Sequence, residues 1–327
     1  MVFKPSTHDG TVHHFSPGLI AFEHKPATDT PTANPNTLIW LGGLGDGLLT
    51  VPYATRLAAR LPANWTLAQP ILSSAYGGWG TSSVGRDADE LARLVAHLRR
   101  ARPGARVALM GHSTGCQDAV EYVCAPSAAS ASPSASPSST RPPLDAVVLQ
   151  APVSDREALV QALGAEACAR VSAAARAMVE AGRGEDVLPF ELTGAVFQRT
   201  PVAARRWLSL ASPEKRGAED FFSSDLPDEV LERTFGRVPR GMRVCVLYSG
   251  ADEFVPRDVD KAGLIARWKG FVGEGVLWEE EFGGIVEGAS HNLKRDREEV
   301  VEDLCRRVVG FLKKVEKGED DGGAAHL

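Results

Sequence analysis

Gly111-His112-Ser113-Thr114-Gly115 sets a serine between two glycines, directly after the apolar run 107–110 and directly before a helix-like stretch at about 115–124. A serine on a sharp turn between a buried strand and a helix exposes its hydroxyl, and the turn is too tight for side chains at the flanking positions. The competing reading is a glycine-rich turn in which Ser113 only caps the helix. Such a hydroxyl is a weak nucleophile at neutral pH and needs an adjacent base. Of the eight histidines, His8, His13, His14 and His24 lie in the N-terminal segment, His97 on a helix and His326 in the tail. His112 adjoins the serine and is expected to point away from it. His291 remains, in Gly288-Ala-Ser-His-Asn292, after the last expected strand and before the last helix. An imidazole base needs a carboxylate to fix its tautomer and stabilise its cation. Asp252 follows the apolar run 243–248 and is the expected partner, with Glu253 facing the other way. Asp155, after the run 145–150, is the alternative acid, although with Ser154 it could simply cap a helix. Cys116 falls inside the helix after the turn, so it is not expected to be the nucleophile.

Attack by Ser113 on a carbonyl would create an oxyanion, which needs two backbone N–H donors. Thr114, next after the serine, should give one. The other should come from Gly42-Gly-Leu-Gly-Asp-Gly47, with Leu44 as the donor and Gly43 and Gly45 letting the backbone come close to substrate. A phosphate cradle is disfavoured, because no Gly-Lys-Ser/Thr follows. Tyr76 and Trp79, among the glycines and serines of 73–83, suit a pocket wall, or else a surface loop with Trp79 folded onto the core.

These candidates require a scaffold. Apolar runs at 38–41, 65–72, 106–110, 145–150, 243–248 and from 276 read as strands, the run 38–41 being the first of the core. They alternate with helical stretches at 50–61, 87–100, 115–124 and 297–315. Leu91, Leu94, Val95 and Leu98 show helical spacing. Buried strands alternating with helices imply an α/β class with a mostly parallel sheet covered on both faces, and ligands then lie beyond the carboxyl ends of the strands. Every candidate above falls at or just after such an end. Residues 153–240 are too long for an ordinary crossover. With helical pieces at 155–181 and 201–211, the second opening on Thr200-Pro201, they are expected to form a helical lid. The Ser/Ala/Pro-rich stretch 126–143 reads as a disordered insertion, with a partner-binding tether as the alternative, and 317–327 as a frayed tail. The whole of 1–327 is read as a single domain.

The chain has 327 residues, 43% hydrophobic and 24% charged, which excludes disorder throughout, and its net charge of −6 argues against a nucleic-acid partner. No apolar run reaches the roughly 18 residues that span a bilayer. The polar N-terminal ten residues do not read as a secretory leader, and five dispersed cysteines without a CxxC pair fit buried thiols in a reducing, cytoplasmic setting. No metal or cofactor is called for.

Together, Met110-Gly-His-Ser-Thr-Gly-Cys-Gln-Asp118, Gly42-Gly-Leu-Gly-Asp-Gly47, Leu72-Ser-Ser-Ala-Tyr-Gly-Gly-Trp-Gly-Thr-Ser-Ser83, Leu149-Gln-Ala-Pro-Val-Ser-Asp-Arg-Glu157 and Asp220-Phe-Phe-Ser-Ser-Asp-Leu226 resemble the fungal α/β-hydrolase family that contains the siderophore (fusarinine C) esterases. The resemblance spans about 15–315. It implies the α/β-hydrolase fold and a serine esterase, with the triad on Ser113, Asp252 and His291. It further implies a small-molecule substrate, a ferric hydroxamate siderophore cleaved inside the cell for iron release. Alternative readings are a general carboxylesterase or lipase-like enzyme, a hydrolase-fold binding protein with a silent triad, and a scaffold centred on 126–143. Oligomeric state is not legible.

Overall fold

A computed structural model describes residues 5–26, 32–124 and 141–318. The strands are β1 (Gly10–Ser16), β2 (Leu19–His24), β3 (Asn36–Leu41), β4 (Trp65–Ile71), β5 (Val107–His112), β6 (Ala146–Gln150), β7 (Arg243–Ser249), β8 (Leu277–Trp278) and β9 (Gly284–Val286). The helices that cover them include α1 (Pro52–Ala58), α2 (Val84–Ala101), α3 (Gly115–Cys124), α9 (Lys261–Phe271) and α10 (Glu298–Lys317). Between β6 and β7 lie α4 (Asp155–Leu163), α5 (Ala165–Glu180), α6 (Phe190–Phe197), α7 (Ala204–Ala211) and α8 (Asp228–Arg233).

The sheet runs β1-β2-β4-β3-β5-β6-β7-β8, with β9 also paired to β7. From β4 onward all pairings are parallel. The strands alternate their buried residues between two layers, as the two-residue period of a strand requires. Leu38, Trp40, Met110, Val148 and Leu247 face α1 and α10. Ile39, Leu41, Leu109, Leu149 and Val246 face α2 and α3. α2 starts three residues before the apolar periodicity does, because the Ser83 hydroxyl accepts the N–H of Arg86 and caps it.

The expectations about the first strand and about the start of α7 are corrected. The run 38–41 is not the first strand: β1 and β2 precede it and join antiparallel at the sheet's edge. β1 is largely exposed, and β2, though mostly buried, ends in Glu23 and His24; this mixed pattern hid both, since a strand near a sheet edge need not alternate cleanly. α7 does not open on Thr200-Pro201. There Ala203 bridges Val187 and donates its N–H to the Gly80 carbonyl at 2.8 Å, which holds the chain extended until Ala204. Most of the expected insertion 126–143 lies outside the described residues. Its last residues are fixed, however: Arg141 reaches the Glu121 carbonyl at 2.7 Å and Tyr122 donates to the Pro142 carbonyl at 2.6 Å. The tail beyond Gly318 also lies outside the described residues.

The insert between β6 and β7 has its own apolar cluster, in which Trp79 of the β4–α2 connection joins Leu159, Val171, Met178, Trp207 and Leu210. Gly164 divides the expected helix 155–181 into α4 and α5; its φ of +83° is a conformation glycine adopts without strain. All five cysteines are buried free thiols. Among the described residues no helix is long and apolar enough to cross a membrane.

Candidate active site

β5 is the middle of the sheet, and the chain leaves its carboxyl end through Ser113 at φ +56°, a left-handed conformation that a serine adopts only when its surroundings impose it. The surroundings are backbone. Ser113 donates its N–H to the Gln150 carbonyl at 3.1 Å, and its own carbonyl accepts from Cys116 at 2.8 Å. The flanking glycines are sterically required. A Cβ at Gly111 would meet the Gly115 carbonyl oxygen at 2.2 Å, and one at Gly115 the Leu41 carbonyl oxygen at 2.5 Å.

The β7 and β9 ends bring the base and acid to this turn. Gly250 N–H donates to the Val286 carbonyl at 3.0 Å and Ala251 N–H to the Ala289 carbonyl at 2.8 Å, so the two loops are tied by their backbones. His291 Nε2 lies 2.8 Å from Ser113 Oγ, and its Nδ1 lies 2.8 Å from Asp252 Oδ2. Asp252 Oδ1 accepts the Phe254 N–H at 3.0 Å. The Asp252 side chain is wholly buried and His291 is nearly so. The Phe254 ring stands edge-on to the imidazole, centroids 4.7 Å apart. A nucleophile, a base and an orienting carboxylate within hydrogen-bond reach form the arrangement that deprotonates a hydroxyl as it attacks a carbonyl.

Sequence reasoning missed one contact here. Glu253 does face away from the imidazole, but its Oε2 accepts the backbone N–H of His291 at 2.8 Å. Consecutive acids thus hold the ring and the backbone of one histidine, and only the fold could reveal the second bond.

His112 is held in a buried stack outside the Asp252–His291–Ser113 line, although it borders the cavity and its ring lies 5.0 Å from that of His291. It lies nearly parallel to Trp40, and its Nδ1 is 2.5 Å from Gln150 Oε1, which also accepts the Tyr53 hydroxyl at 2.7 Å. Burial, with His291 nearby, pushes the His112 imidazole down to about 3, so it stays neutral at physiological pH.

The Gly42–Gly47 loop crosses directly over Ser113. A Cβ on Gly43 would fall 2.6 Å from Ser113 Cβ and 3.1 Å from Thr114 N. Asp46 fixes the loop by accepting the Gly43 N–H at 3.0 Å and the Thr50 hydroxyl at 2.8 Å. The Leu44 and Thr114 backbone N–H groups have no acceptor among the described residues. Two unused donors beside a nucleophile can receive a developing oxyanion.

A cavity of about 800 Å³ opens onto Ser113 and His291. Leu44, Gly45 and Trp79 line it, as does the β6–β7 insert through Val153, Leu159 and Phe197. The Trp79 ring is buried and meets Phe197 edge-on, centroids 4.7 Å apart, so it belongs both to the wall and to the insert's core. Tyr76 is not part of this wall, contrary to expectation. Its ring covers Gly47 and its N–H donates to the Asp46 carbonyl at 2.8 Å, so it braces the glycine loop from outside. Phe197 and Phe254 were not legible as wall residues, since no local pattern separates them from ordinary apolar positions.

Asp155 does not reach the imidazole partner position, which Asp252 fills. It is the first residue of α4, lines the same cavity, and accepts from Gln117 Nε2 at 2.7 Å through Oδ2. Burial foremost, with the carboxyls of Glu219 and Asp220, pushes its carboxyl up to about 8. Among the described residues no cluster of three or more His, Cys, Asp or Glu side chains is placed to hold a metal ion.

The chain matches the family described as protein of unknown function DUF1749 over residues 1–313. It is 38% identical to the fusarinine C esterase sidJ of Aspergillus fumigatus, covering 94% of this chain and 96% of that one. An esterase of Emericella nidulans is 37% identical, with coverage of 94% and 93%. Among solved structures, the siderophore hydrolase EstB from Aspergillus fumigatus superposes with a TM-score of 0.81 at 36% identity, covering 96% of this chain and all of that one.

Proposed function

We propose, for a chain that belongs to the DUF1749 family and is an ester hydrolase of the α/β-hydrolase fold, that Ser113 is the nucleophile of a siderophore esterase. The observation that carries this reading is the continuous line Asp252–His291–Ser113, with 2.8 Å at each step. Ser113 Oγ attacks the ester carbonyl while His291 Nε2 takes its proton. Asp252 keeps the Nδ1 proton of the imidazole directed at itself and offsets the positive charge that forms. The N–H groups of Leu44 and Thr114 receive the oxyanion. His291 then protonates the leaving alcohol, and a water molecule, deprotonated by the same nitrogen, hydrolyses the acyl-serine.

The substrate class is supported by relatives that are a fusarinine C esterase and a siderophore hydrolase. A cavity of about 800 Å³ accommodates a substantial part of such an ester. Iron enters only as cargo of a ferric hydroxamate, and cleavage inside the cell would release it from a weakened chelate. The test is incubation of purified protein with ferric fusarinine-type siderophores, following product masses. Stepwise gains of one water per ester, absent from Ser113→Ala, are expected. Cleavage of simple esters with no mass change in the siderophores would leave the general carboxylesterase reading in its place.

A further inference from the structure

Within the cavity the wall beside β6 differs from the rest. The apolar wall of Val153, Ala158 and Leu159 gives way at one point to a carboxyl, Asp155, whose Oδ2 accepts from Gln117 Nε2 at 2.7 Å. Its Oδ1 has no hydrogen-bond partner among the described residues. The cations nearby are already engaged. Arg206 pairs with Glu219 at 2.6 Å, and Arg156 pairs with Asp220 at 2.8 Å. Asp155 therefore faces the cavity without a cation of its own, with further carboxyls behind it. Ser113 stands at the end of β5 and Asp155 just beyond the end of β6, its parallel neighbour. The glycine loop that carries Leu44 follows β3, on the opposite side of β5. A substrate whose carbonyl oxygen turns toward β3 thus presents another of its groups toward Asp155.

We propose that Asp155 is a specificity residue that accepts an amino group, as its ammonium, carried by the acyl or the alcohol portion of the ester. A neutral donor could fill the same hydrogen bond, but the uncompensated carboxyls around Asp155 favour a cation. Burial and these neighbours raise its proton affinity, and an arriving ammonium supplies the charge that lets it ionise. The proposal rests on the serine-esterase reading above and concerns the choice of substrate, leaving the chemistry to Ser113 and His291.

The test compares esters that differ only by replacement of nitrogen with carbon. Ethyl alaninate is set against ethyl isobutyrate for the acyl side, and 2-(dimethylamino)ethyl butyrate against 3,3-dimethylbutyl butyrate for the alcohol side. The ratio of kcat/KM within each pair is measured for the wild-type chain, Asp155→Asn and Asp155→Leu. The Asn variant keeps the size of the side chain and an acceptor for Gln117, so its fold should hold. In at least one pair the preference for the amine should fall about tenfold or more in both variants, mostly through KM. Ratios within twofold of wild type in both pairs would overturn the assignment of Asp155 alone. Failure of the wild-type chain to cleave any of the four esters would overturn the proposal, and only if siderophore masses also stay unchanged does the esterase reading fall with it.

Discussion

Two clusters of charged and polar side chains lie along the same end of the sheet, and they are built on opposite terms. In the first, one carboxylate serves one imidazole, which serves one hydroxyl, and both Asp252 oxygens have partners. In the second, Asp87, Asp118 and Glu219 share the single buried guanidinium of Arg206, with Ser82 donating to Asp87 at 3.1 Å. Asp118 Oδ1, Glu219 Oε2 and Arg206 Nε have no hydrogen-bond partner there. Only α3's first turn separates Ser113 from Asp118 in the chain, and Thr114, Asp118, Asp87 and Arg206 line a small cavity of about 30 Å³. The first arrangement can offset a positive charge on His291. The second has too few cations for its acids, so it retains protons: burial pushes Asp87 up to about 6 and Asp118 well above the ordinary carboxylate range. Proximity to a catalytic residue therefore does not make a buried acid catalytic. What matters is whether its oxygens are committed to a group that changes charge.

The sharpest way to separate the clusters is to remove the hydroxyl. Ser113→Ala should lower kcat/KM for an ester by about 10⁴-fold or more, and Asp252→Asn by a comparable factor, with little change in unfolding free energy. Kinetics and urea unfolding on the same samples check this. The acid-rich cluster should respond the other way. Arg206→Met strands Glu219 as a buried charge and should cost about 3–5 kcal/mol of stability in urea titration. If that variant instead loses activity with stability intact, the division between the two regions fails. Gly43→Ala lies at the boundary. Its Cβ would crowd Ser113 Oγ at 2.8 Å, so activity should drop about 10²-fold while the melting temperature moves by only a few degrees.

The pH dependence of stability refines the comparison further. Asp87 binds its proton more tightly folded than unfolded, so its contribution is full below about pH 4. It is lost as the pH rises through about 6. Asp155 extends the same trend to about 8. Urea midpoints should therefore fall between pH 5 and 8, and Asp87→Asn should flatten the fall by on the order of 1–3 kcal/mol. The smallest effect concerns backbone alone. Ser113→Gly removes the strain of φ +56° and should be about 1 kcal/mol more stable than Ser113→Ala in the same titration.

Much of this was legible in the residues because the site is built on strand ends. The α/β class with its mostly parallel sheet followed from apolar runs alternating with helical spacing, and β5, β6 and β7 begin and end within two residues of those runs. Ser113, Asp252 and His291 each follow a strand, so their order along the chain pointed to the three side chains that the structure brings together. What the residues concealed depends on contacts between distant segments. Glu23 of β2 holds Arg102 at 2.7 Å and His13 at 2.6 Å, and nothing local marks those partners. Tyr76 has the composition of a wall residue, but a hydrogen bond to Asp46 turns it outward. The acid-rich cluster needs α2, α3 and α7 to meet before it exists.

The left-handed turn at Ser113 has a consequence for any measurement on this molecule. A short peptide of the same sequence would abandon that geometry, since the local Cys116 N–H to Ser113 carbonyl bond is not enough to impose it. The Gln150 carbonyl and the Leu41 backbone, from strands on either side, impose it. Turnover thus reports on the docking of β3, β5 and β6. During denaturation, loss of esterase signal should coincide with loss of the sheet, and a partly melted chain that keeps its helices would already be silent.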